Sequence, residues 1–390
     1  MSMSLYSVFD YGGMIADRAR MDAYLRALRQ TIKPDSVVLD IGTGTGIFAL
    51  LACQLGARRV YAIEPDDAIQ VAREIAAANG FAGQIEFIQK LSTDVTLPER
   101  ADVIVSDLGG LLPWFQHHIP SIIDARQRLL APQGRLIPLR DHAWAALVHA
   151  PEFYARYTAG WDAARFGLDL SAARRIALNT MRRFRVTPEH LLVEPRQWAT
   201  LDYATVASTD VHAEISWTLP NSGTAHGISC WFERTLTDGV ELSNAPGIAE
   251  ALAPVIYASL FFPWSAPIAI NAGDRIAVTL AANLVGDDYI WRWQARLFDQ
   301  GREANLKAEC KQSTFLSAPL SPGKFLKRAA DYVPTLDTDG SIDRFVLERM
   351  AGSNSVAQIA DEVFKRFPNR FASWHATLDR VGELSQKYAR

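Results

Sequence analysis

The sequence predicts an α/β protein: a doubly wound, mostly parallel sheet, followed by an antiparallel β-domain and a small helical module. Strand and helix patterns alternate between residues 37 and 149, which is typical of helices packed on both faces of a parallel sheet. From about 190 to 315, short alternating strands separated by turn residues predict an antiparallel barrel or sandwich. Amphipathic helical patterns return from about residue 324.

Before the first strand, a turn is expected at 11–14 and a helix from Asp17 to Gln30. The strands of the first sheet are predicted at 37–41, 59–63, 85–88, 102–106 and 134–138, with a further one at 143–148. The helices between them are predicted at 47–55, 66–78 and 119–130. These patterns give four parts: N-terminal helices at 1–35, a Rossmann-like domain at 36–150, a β-domain at 151–322 and a helical module at 323–390.

Three glycines follow the first predicted strand at every second position: Gly42, Gly44 and Gly46. A strand, a glycine turn and a helix N-terminus form a site for a nucleotide-like ligand, because the missing side chains let the ligand approach the backbone. A dinucleotide fingerprint needs its third glycine at Ile47. The tighter spacing instead resembles the loop of class I methyltransferases, whose cofactor S-adenosyl-L-methionine has no pyrophosphate.

The second predicted strand ends in Glu64, 18 residues after Gly46. A carboxylate at this strand tip is placed to accept hydrogen bonds from both ribose hydroxyls of a nucleoside. Ser92 and Asp107 also fall at the carboxyl ends of predicted strands, where ligands of such sheets bind. Asp40 completes the pattern at the end of the first strand.

Composition excludes several classes of function. The net charge of −3 gives no electrostatic case for nucleic acid or an anionic membrane. The three cysteines lie far apart, as expected for thiols of a reducing compartment, and no cluster has metal-ligand spacing. The N-terminus has no signal pattern and no uncharged apolar run is long enough to span a membrane, so a cytoplasmic protein is expected.

With these motifs, the chain over roughly 5–320 resembles protein arginine methyltransferases and their bacterial relatives. In that family, a segment that covers the cofactor reads Met-hydrophobic-x-Asp-x-x-Arg, and Met14 to Arg20 matches it. The resemblance implies that Met14 packs near the sulfonium and that Arg20 binds the cofactor carboxylate, which suits a guanidinium fork. The predicted cofactor-binding residues are Met14, Arg20, Asp40, Gly42, Thr43, Gly44, Gly46, Glu64, Pro65, Ser92, Thr93 and Asp107.

The acceptor side departs from the family pattern. The family has two glutamates nine residues apart that bind the substrate guanidinium, where this chain has Asp107 and Gln116. The family's Thr-His-Trp segment is also missing, and the corresponding stretch at 255–263 reads VIYASLFFP. One carboxylate and one amide orient a cationic guanidine less well than two anions. Arginine is therefore not predicted as the methyl acceptor.

Asp107 is the strongest candidate for work on the acceptor, which it could orient or deprotonate if its pKa is raised. His117 and His118 follow in the same loop, and His117 is predicted as a second catalytic group, with surface or capping roles as the alternative. Trp114, Gln116 and Tyr11 are predicted to contact substrate. For Trp114, packing in an aromatic core is the alternative.

The last 60 residues are similar to the small winged-helix-like domains that present precursor peptides to enzymes of ribosomal peptide natural-product pathways. An apolar stripe from Ile342 to Met350 and a helix capped by Ser355 support this, with a helical cap or a dimerisation element as the alternative. The sequence therefore predicts a methyltransferase that acts on a peptide or protein and releases S-adenosyl-L-homocysteine, expected to be a homodimer. A small-molecule (natural-product) methyltransferase and a catalytically silent cofactor-binding protein remain as alternatives.

Overall fold

A computed structural model describes residues 6–162, 166–247, 256–301 and 305–389. The chain forms two compact units, residues 1–319 and 320–390. The first contains a parallel sheet and two antiparallel sheets, and the second is helical. This arrangement confirms the predicted fold class.

Two helices precede the first strand: α1 at Val8–Ala16 and α2 at Arg18–Thr31. Ser7 and Asp10 form a capping box at the start of α1, so the predicted turn at 11–14 is wrong and those residues are helical. The side chain of Asp17 caps α2 by accepting a hydrogen bond from the amide of Arg20. The Arg20 side chain therefore extends from the first turn of α2, and the Asp17 cap fixes that turn.

The first sheet is wholly parallel, with strand order β3-β2-β1-β4-β5. In chain order its elements are β1 Val37–Ile41, α3 Ile47–Gln54, β2 Arg59–Ile63, α4 Ala68–Ala78, β3 Ile85–Ile88, β4 Ala101–Ser106, α5 His118–Arg128 and β5 Leu130–Ile137. All five residues of β1 are buried, which explains its unbroken apolar run apart from Asp40. The strand order reverses beside β1, so a crevice opens at the carboxyl ends of β1 and β4.

The remaining strands of this unit form two antiparallel sheets, one of order β7-β12-β10-β6-β8 with β11 beside β10, and one of order β15-β14-β13-β9. Their bounds are β6 Arg140–Val148, β7 Arg182–Phe184, β8 Arg196–Asp202, β9 Val211–Thr218, β10 Gly223–Thr237, β11 Val240–Ser243, β12 Ser259–Ile270, β13 Arg275–Val285, β14 Asp288–Phe298 and β15 Leu306–Ser313. Two helices, α6 Pro151–Thr158 and α7 Ser171–Leu178, lie between β6 and β7 in the chain.

The strand predicted at 143–148 was wrongly grouped with the parallel sheet. It is β6, which pairs antiparallel with β10 and β8. Only residues 138–139 separate it from β5, and a parallel neighbour would need a crossover of a dozen residues or more. The chain therefore leaves the first sheet before residue 140.

The second unit contains α8 Pro322–Leu326, α9 Thr338–Met350, α10 Val356–Arg366 and α11 Trp374–Tyr388. The predicted cap at Ser355 is confirmed, since Ser355 and Gln358 form a capping box. The unit has its own core, which includes Ile342, Val346, Ile359, Val363 and Val381. Within 320–389 no residue lies in a strand, so the unit is a helical bundle without the β-hairpin of a winged helix.

Candidate functional site

The loop after β1 uses its glycines for backbone conformation. Gly42, Gly44 and Gly46 all have positive φ, at 74°, 52° and 88°. The amides of Gly42 and Thr43 donate to the carbonyl of Ile63 at 2.9 and 3.0 Å. These hydrogen bonds fix the loop to β2. Because its glycines carry no side chains, a nucleoside without a pyrophosphate group can approach the backbone of the loop closely.

Asp40 also fixes this loop, through two hydrogen bonds to its carboxylate. Its Oδ2 accepts hydrogen bonds from the Thr43 hydroxyl at 2.6 Å and from the Ala49 amide at 3.1 Å. Oδ1 is buried, and no described residue donates a hydrogen bond to it. Burial in this apolar surrounding raises the pKa of Asp40 to about 7.

Glu64 lies at the tip of β2, facing the glycine loop. Its Oε2 accepts a hydrogen bond from the Gly44 amide at 3.1 Å, and Oε1 accepts one from the Asp66 amide at 3.0 Å. Burial raises its pKa, while these two hydrogen bonds oppose the shift. Each oxygen retains a lone pair for a further donor such as a ribose hydroxyl.

The N-terminal helices cover this loop. The ring of Tyr11 packs on Gly44 so closely that a Cβ at position 44 would lie 2.3 Å from the ring. Burial and the carboxylates of Glu64 and Asp66 raise the pKa of the Tyr11 hydroxyl. Tyr11 thus packs on the glycine loop, and its contact with substrate stays a prediction. Half-buried Met14 contributes its carbonyl, which accepts from Nη1 of Arg20 at 3.2 Å.

Three other predicted cofactor residues lie at the edge of the crevice. Ser92 is buried and begins a short 3₁₀ turn, Ser92–Asp94, whose carbonyls at Ser92 and Thr93 accept from Arg128 at 3.1 and 3.3 Å. The side chains of Thr93 and Pro65 are exposed. Their assignment to cofactor binding remains a prediction.

Asp107, directly after β4, is paired with two guanidinium groups. Its Oδ2 accepts from Nε of Arg20 at 2.8 Å and also from the Tyr257 hydroxyl, and its Oδ1 accepts from Nη1 of Arg234 at 2.8 Å. Burial alone raises the pKa of a carboxyl, but Arg20 and Arg234 outweigh it and hold the pKa of Asp107 well below its usual range. The raised pKa that a general base requires is therefore absent, and the predicted base role of Asp107 is corrected to that of a fixed anion.

Arg234 extends this network into the β-domain. Its Nε and Nη2 bind the two carboxylate oxygens of Asp141 at 2.8 and 3.0 Å, a bidentate pair. Tyr203 donates its hydroxyl hydrogen to Asp141 at 2.5 Å, and Nε2 of His118 lies 2.9 Å from the same hydroxyl. Burial, with help from Arg234, lowers the pKa of His118 to about 4, so the imidazole is neutral.

The loop between β4 and α5 separates the candidates that the sequence grouped there. His117 is exposed and its Nε2 lies 3.2 Å from Asp287, away from Asp107, whereas buried His118 joins the network. Among the described residues, the polar contact of His117 is with Asp287, and its catalytic role stays a prediction. Gln116 is half-buried with φ at 42°, and its contact with substrate stays a prediction.

Trp114 belongs to the aromatic core. Its ring lies 5.0 Å from that of Trp198 and 6.3 Å from that of Trp291, and only 4% of it is exposed. This burial favours core packing, and contact of Trp114 with substrate stays a prediction. The alternative from the sequence, core packing, describes its position.

Four residues of the network escaped sequence analysis: Asp141, Tyr203, Arg234 and Tyr257. Tyr257 lies in the stretch that replaces the family's Thr-His-Trp segment, of which Val255 lies outside the described residues. The sequence offers one signal by which Arg234 and Asp141 could have been found: each is a charged residue within a strand pattern. Nothing in the sequence pairs them, because 93 positions separate them.

Two further observations concern the described residues alone. They contain no cluster of three or more histidine, cysteine, aspartate or glutamate side chains arranged to bind a metal ion. None of their helices combines the length and apolar character needed to cross a bilayer.

Two family models match consecutive parts of the chain. Residues 22–137 match the model described as ribosomal protein L11 methyltransferase, and residues 142–293 match the arginine methyltransferase oligomerization subdomain. The boundary between the two matches falls at the start of β6, where the chain passes from the parallel to the antiparallel sheets.

Curated proteins that match this chain are named as protein arginine N-methyltransferases. The chain is 30% identical over 229 residues to "Probable protein arginine N-methyltransferase 6" of Arabidopsis thaliana, covering 56% of this chain and 52% of that protein. It is 29% identical over 247 residues to "Protein arginine N-methyltransferase 6" of Xenopus tropicalis, covering 60% of this chain and 72% of that protein. For the first of these relatives, the match therefore spans about half of its length.

Solved structures support the fold. An Arabidopsis thaliana protein arginine methyltransferase 10 aligns with a TM-score of 0.70 and 22% identity, over 79% of this chain and 98% of that one. A Trypanosoma brucei PRMT1 enzyme–prozyme complex with AdoHcy aligns with a TM-score of 0.69 and 21% identity, over 78% and 97%. The chain thus resembles protein arginine methyltransferases in sequence over part of its length, and it shares the fold of these two solved structures.

Proposed function

We propose that this protein is an S-adenosyl-L-methionine-dependent methyltransferase that modifies a peptide or protein at nitrogen or oxygen. The observation that carries the proposal is the contact between the Gly44 amide and the Glu64 carboxylate at 3.1 Å. This contact supports the proposal because a carboxylate that could accept from ribose hydroxyls then lies beside a glycine loop with positive φ, and Asp40 also fixes that loop.

The residues present fit this cofactor. Glu64 would bind the ribose hydroxyls, and Arg20 would bind the carboxylate, since none of the described residues accepts a hydrogen bond from its Nη2. The cofactor supplies an activated methyl group on a sulfonium, which is displaced in line by the acceptor. The protein would contribute by aligning the two reactants and excluding water. The N-terminal helices, with Tyr11 packed on Gly44, cover the glycine loop and support this role.

The assignment is tested by mass spectrometry. The full chain is incubated with cell lysate and deuteromethyl-labelled cofactor, and labelled peptides and small molecules are then identified. We expect labelled methyl groups on peptides or proteins. Label confined to small metabolites would support the small-molecule alternative. If no fraction contained a labelled product, the alternative of a cofactor-binding protein without catalytic activity would be favoured.

Replacement of Glu64 by Ala should weaken cofactor binding by roughly 1–3 kcal/mol, the contribution of hydrogen bonds to a charged partner. Isothermal titration with S-adenosyl-L-homocysteine measures this. Glu86→Ala is a matched control, because this residue is an exposed glutamate on the neighbouring strand β3. Equal affinities for the wild type and Glu64→Ala would remove Glu64 from the site.

Deletion of residues 320–390 tests whether the second unit presents a peptide. Each unit has its own apolar core, so the first is expected to keep its fold and its affinity for the cofactor. A peptide-presenting module predicts that methylation of the peptide substrate falls at least about tenfold. Unchanged turnover on that substrate would count against the module and favour a cap or an assembly role.

A homodimer is part of the proposal. The match of residues 142–293 to an oligomerization subdomain supports it. Sedimentation of the full chain at micromolar concentration tests it, and a monomeric mass would contradict it.

A further inference from the structure

The acceptor side of the site contains one buried anion that is already neutralised by the protein. Asp107 has a side chain only 7% exposed, and it pairs with Arg20 and Arg234 at 2.8 Å each. The Tyr257 hydroxyl donates to it as well. A further cation that approached Asp107 would therefore find both carboxylate oxygens already bonded to cations, in a region that is poorly screened by water.

The guanidinium of Arg234 is held in a fixed position. Asp141 binds it through two hydrogen bonds, and its carbon lies 4.7 Å from the centre of the Phe232 ring. On another side it packs against Gly109, where a Cβ would lie 2.6 Å from Nη2. With 1% of the side chain exposed, Arg234 has no solvated position nearby into which an incoming substrate could push it.

Among the described residues, the second anion of this network is Asp141, and it is already paired with Arg234. The loop that follows β4 offers the Gln116 amide, and His118 is buried against Tyr203. The charged side chains of the network are Arg20, Arg234, Asp107 and Asp141, two cations and two anions. Both carboxylates are therefore paired before any substrate binds, so a cationic acceptor would be desolvated without a free carboxylate oxygen to bind it.

We infer that Arg234 determines acceptor specificity: its guanidinium occupies Asp107 and excludes arginine, so the group that receives the methyl carries no positive charge. This inference rests on the proposed methyl transfer and narrows its substrate class. It assigns Arg234 a selective role at the acceptor side, separate from the cofactor contacts of Glu64 and Arg20.

The test compares two peptides that differ in one charge. An arginine-containing, glycine-rich peptide and the same peptide with citrulline are titrated into the full chain saturated with S-adenosyl-L-homocysteine. The wild type is compared with Asp141→Leu/Arg234→Met, which removes a buried ion pair together and frees Asp107 Oδ1. The matched control is Arg140→Met/Asp202→Leu. It removes an exposed ion pair of 2.8 Å between β6, the strand that contains Asp141, and the neighbouring β8.

We expect the wild type and the control to show no preference for the arginine peptide, with affinities for it equal to or weaker than those for the citrulline peptide. The Asp141/Arg234 variant should prefer the arginine peptide at least about tenfold, the effect of one charge-assisted hydrogen bond. A tenfold preference for arginine in the wild type, or no gain in the variant, would overturn the inference. Retained binding of S-adenosyl-L-homocysteine and an unchanged circular dichroism spectrum establish that the variant is folded.

A second measurement needs no variant. When wild-type protein labels a lysate with deuteromethyl cofactor, labelled groups on uncharged acceptors would support the inference. Labelled methylarginine would overturn it and leave the proposed methyl transfer intact. Absence of cofactor binding by the wild type would overturn both, so the two failures are distinguishable.

Discussion

Replacement of Arg234 by Met should lower the free energy of unfolding by about 3–5 kcal/mol, since it leaves a buried charge without its partner. Asp141 is fully buried, and it would retain only the Tyr203 hydroxyl. Asp107 would lose one of its two cations and keep Arg20. Urea denaturation at pH 7, followed by circular dichroism, measures the change.

Arg140→Met is the matched control for this substitution. Arg140 lies on the strand that pairs with β10, and its ion pair with Asp202 is exposed, with 49% of the arginine side chain accessible. Surface substitutions of this kind usually change stability by about 0.5 kcal/mol or less. Similar losses for Arg234→Met and Arg140→Met would show that the buried network contributes no more than a surface pair.

The stability of the protein should also fall as pH rises from about 4 to about 7, through the titration of Asp40. Burial raises the pKa of this carboxyl from 3.8 to about 7 in the folded protein. Between these values the folded state retains a proton that the unfolded chain has lost, so stability decreases by up to about 1.4 kcal/mol per pH unit. Over the whole range the loss is on the order of 4 kcal/mol.

Asp40→Asn isolates this contribution, because an amide oxygen can accept the hydrogen bonds from Thr43 and Ala49 but does not titrate. The difference in unfolding free energy between the wild type and Asp40→Asn should change steadily from pH 4 to pH 7. A difference that is constant over this range would mean that Asp40 is ionised throughout. The folded protein lowers the pKa of Asp107, so the titration of this residue affects stability only at pH values below the range in which Asp40 titrates.

The parallel sheet was predictable because its signals are local. Strands such as β1 and β2 are buried almost completely, so they read as unbroken apolar runs, and each is followed by a helix. The conformation of the glycine loop and the position of Glu64 after β2 were predictable for the same reason, since both depend on local backbone structure. The error at β6 arose because an apolar strand reads alike in a parallel and an antiparallel sheet, and only the short connection before it distinguishes them.

The acceptor side could not be predicted because it is assembled from distant segments. Asp107 reads as a free carboxylate at a strand end until Arg234 reaches it from β10, 127 positions later. The ion pairs reverse the direction in which its pKa shifts, and with it the expected chemistry. Trp114 shows the same limit, because Trp198 and Trp291, which enclose it, come from the β-domain.

A crystal structure of the full chain with S-adenosyl-L-homocysteine tests the central claim most directly. The account predicts both ribose hydroxyls within hydrogen-bonding distance of Glu64, and the homocysteine carboxylate on Arg20. Density for the nucleoside at another place on the protein, with Glu64 bonded only to the Gly44 and Asp66 amides, would contradict it.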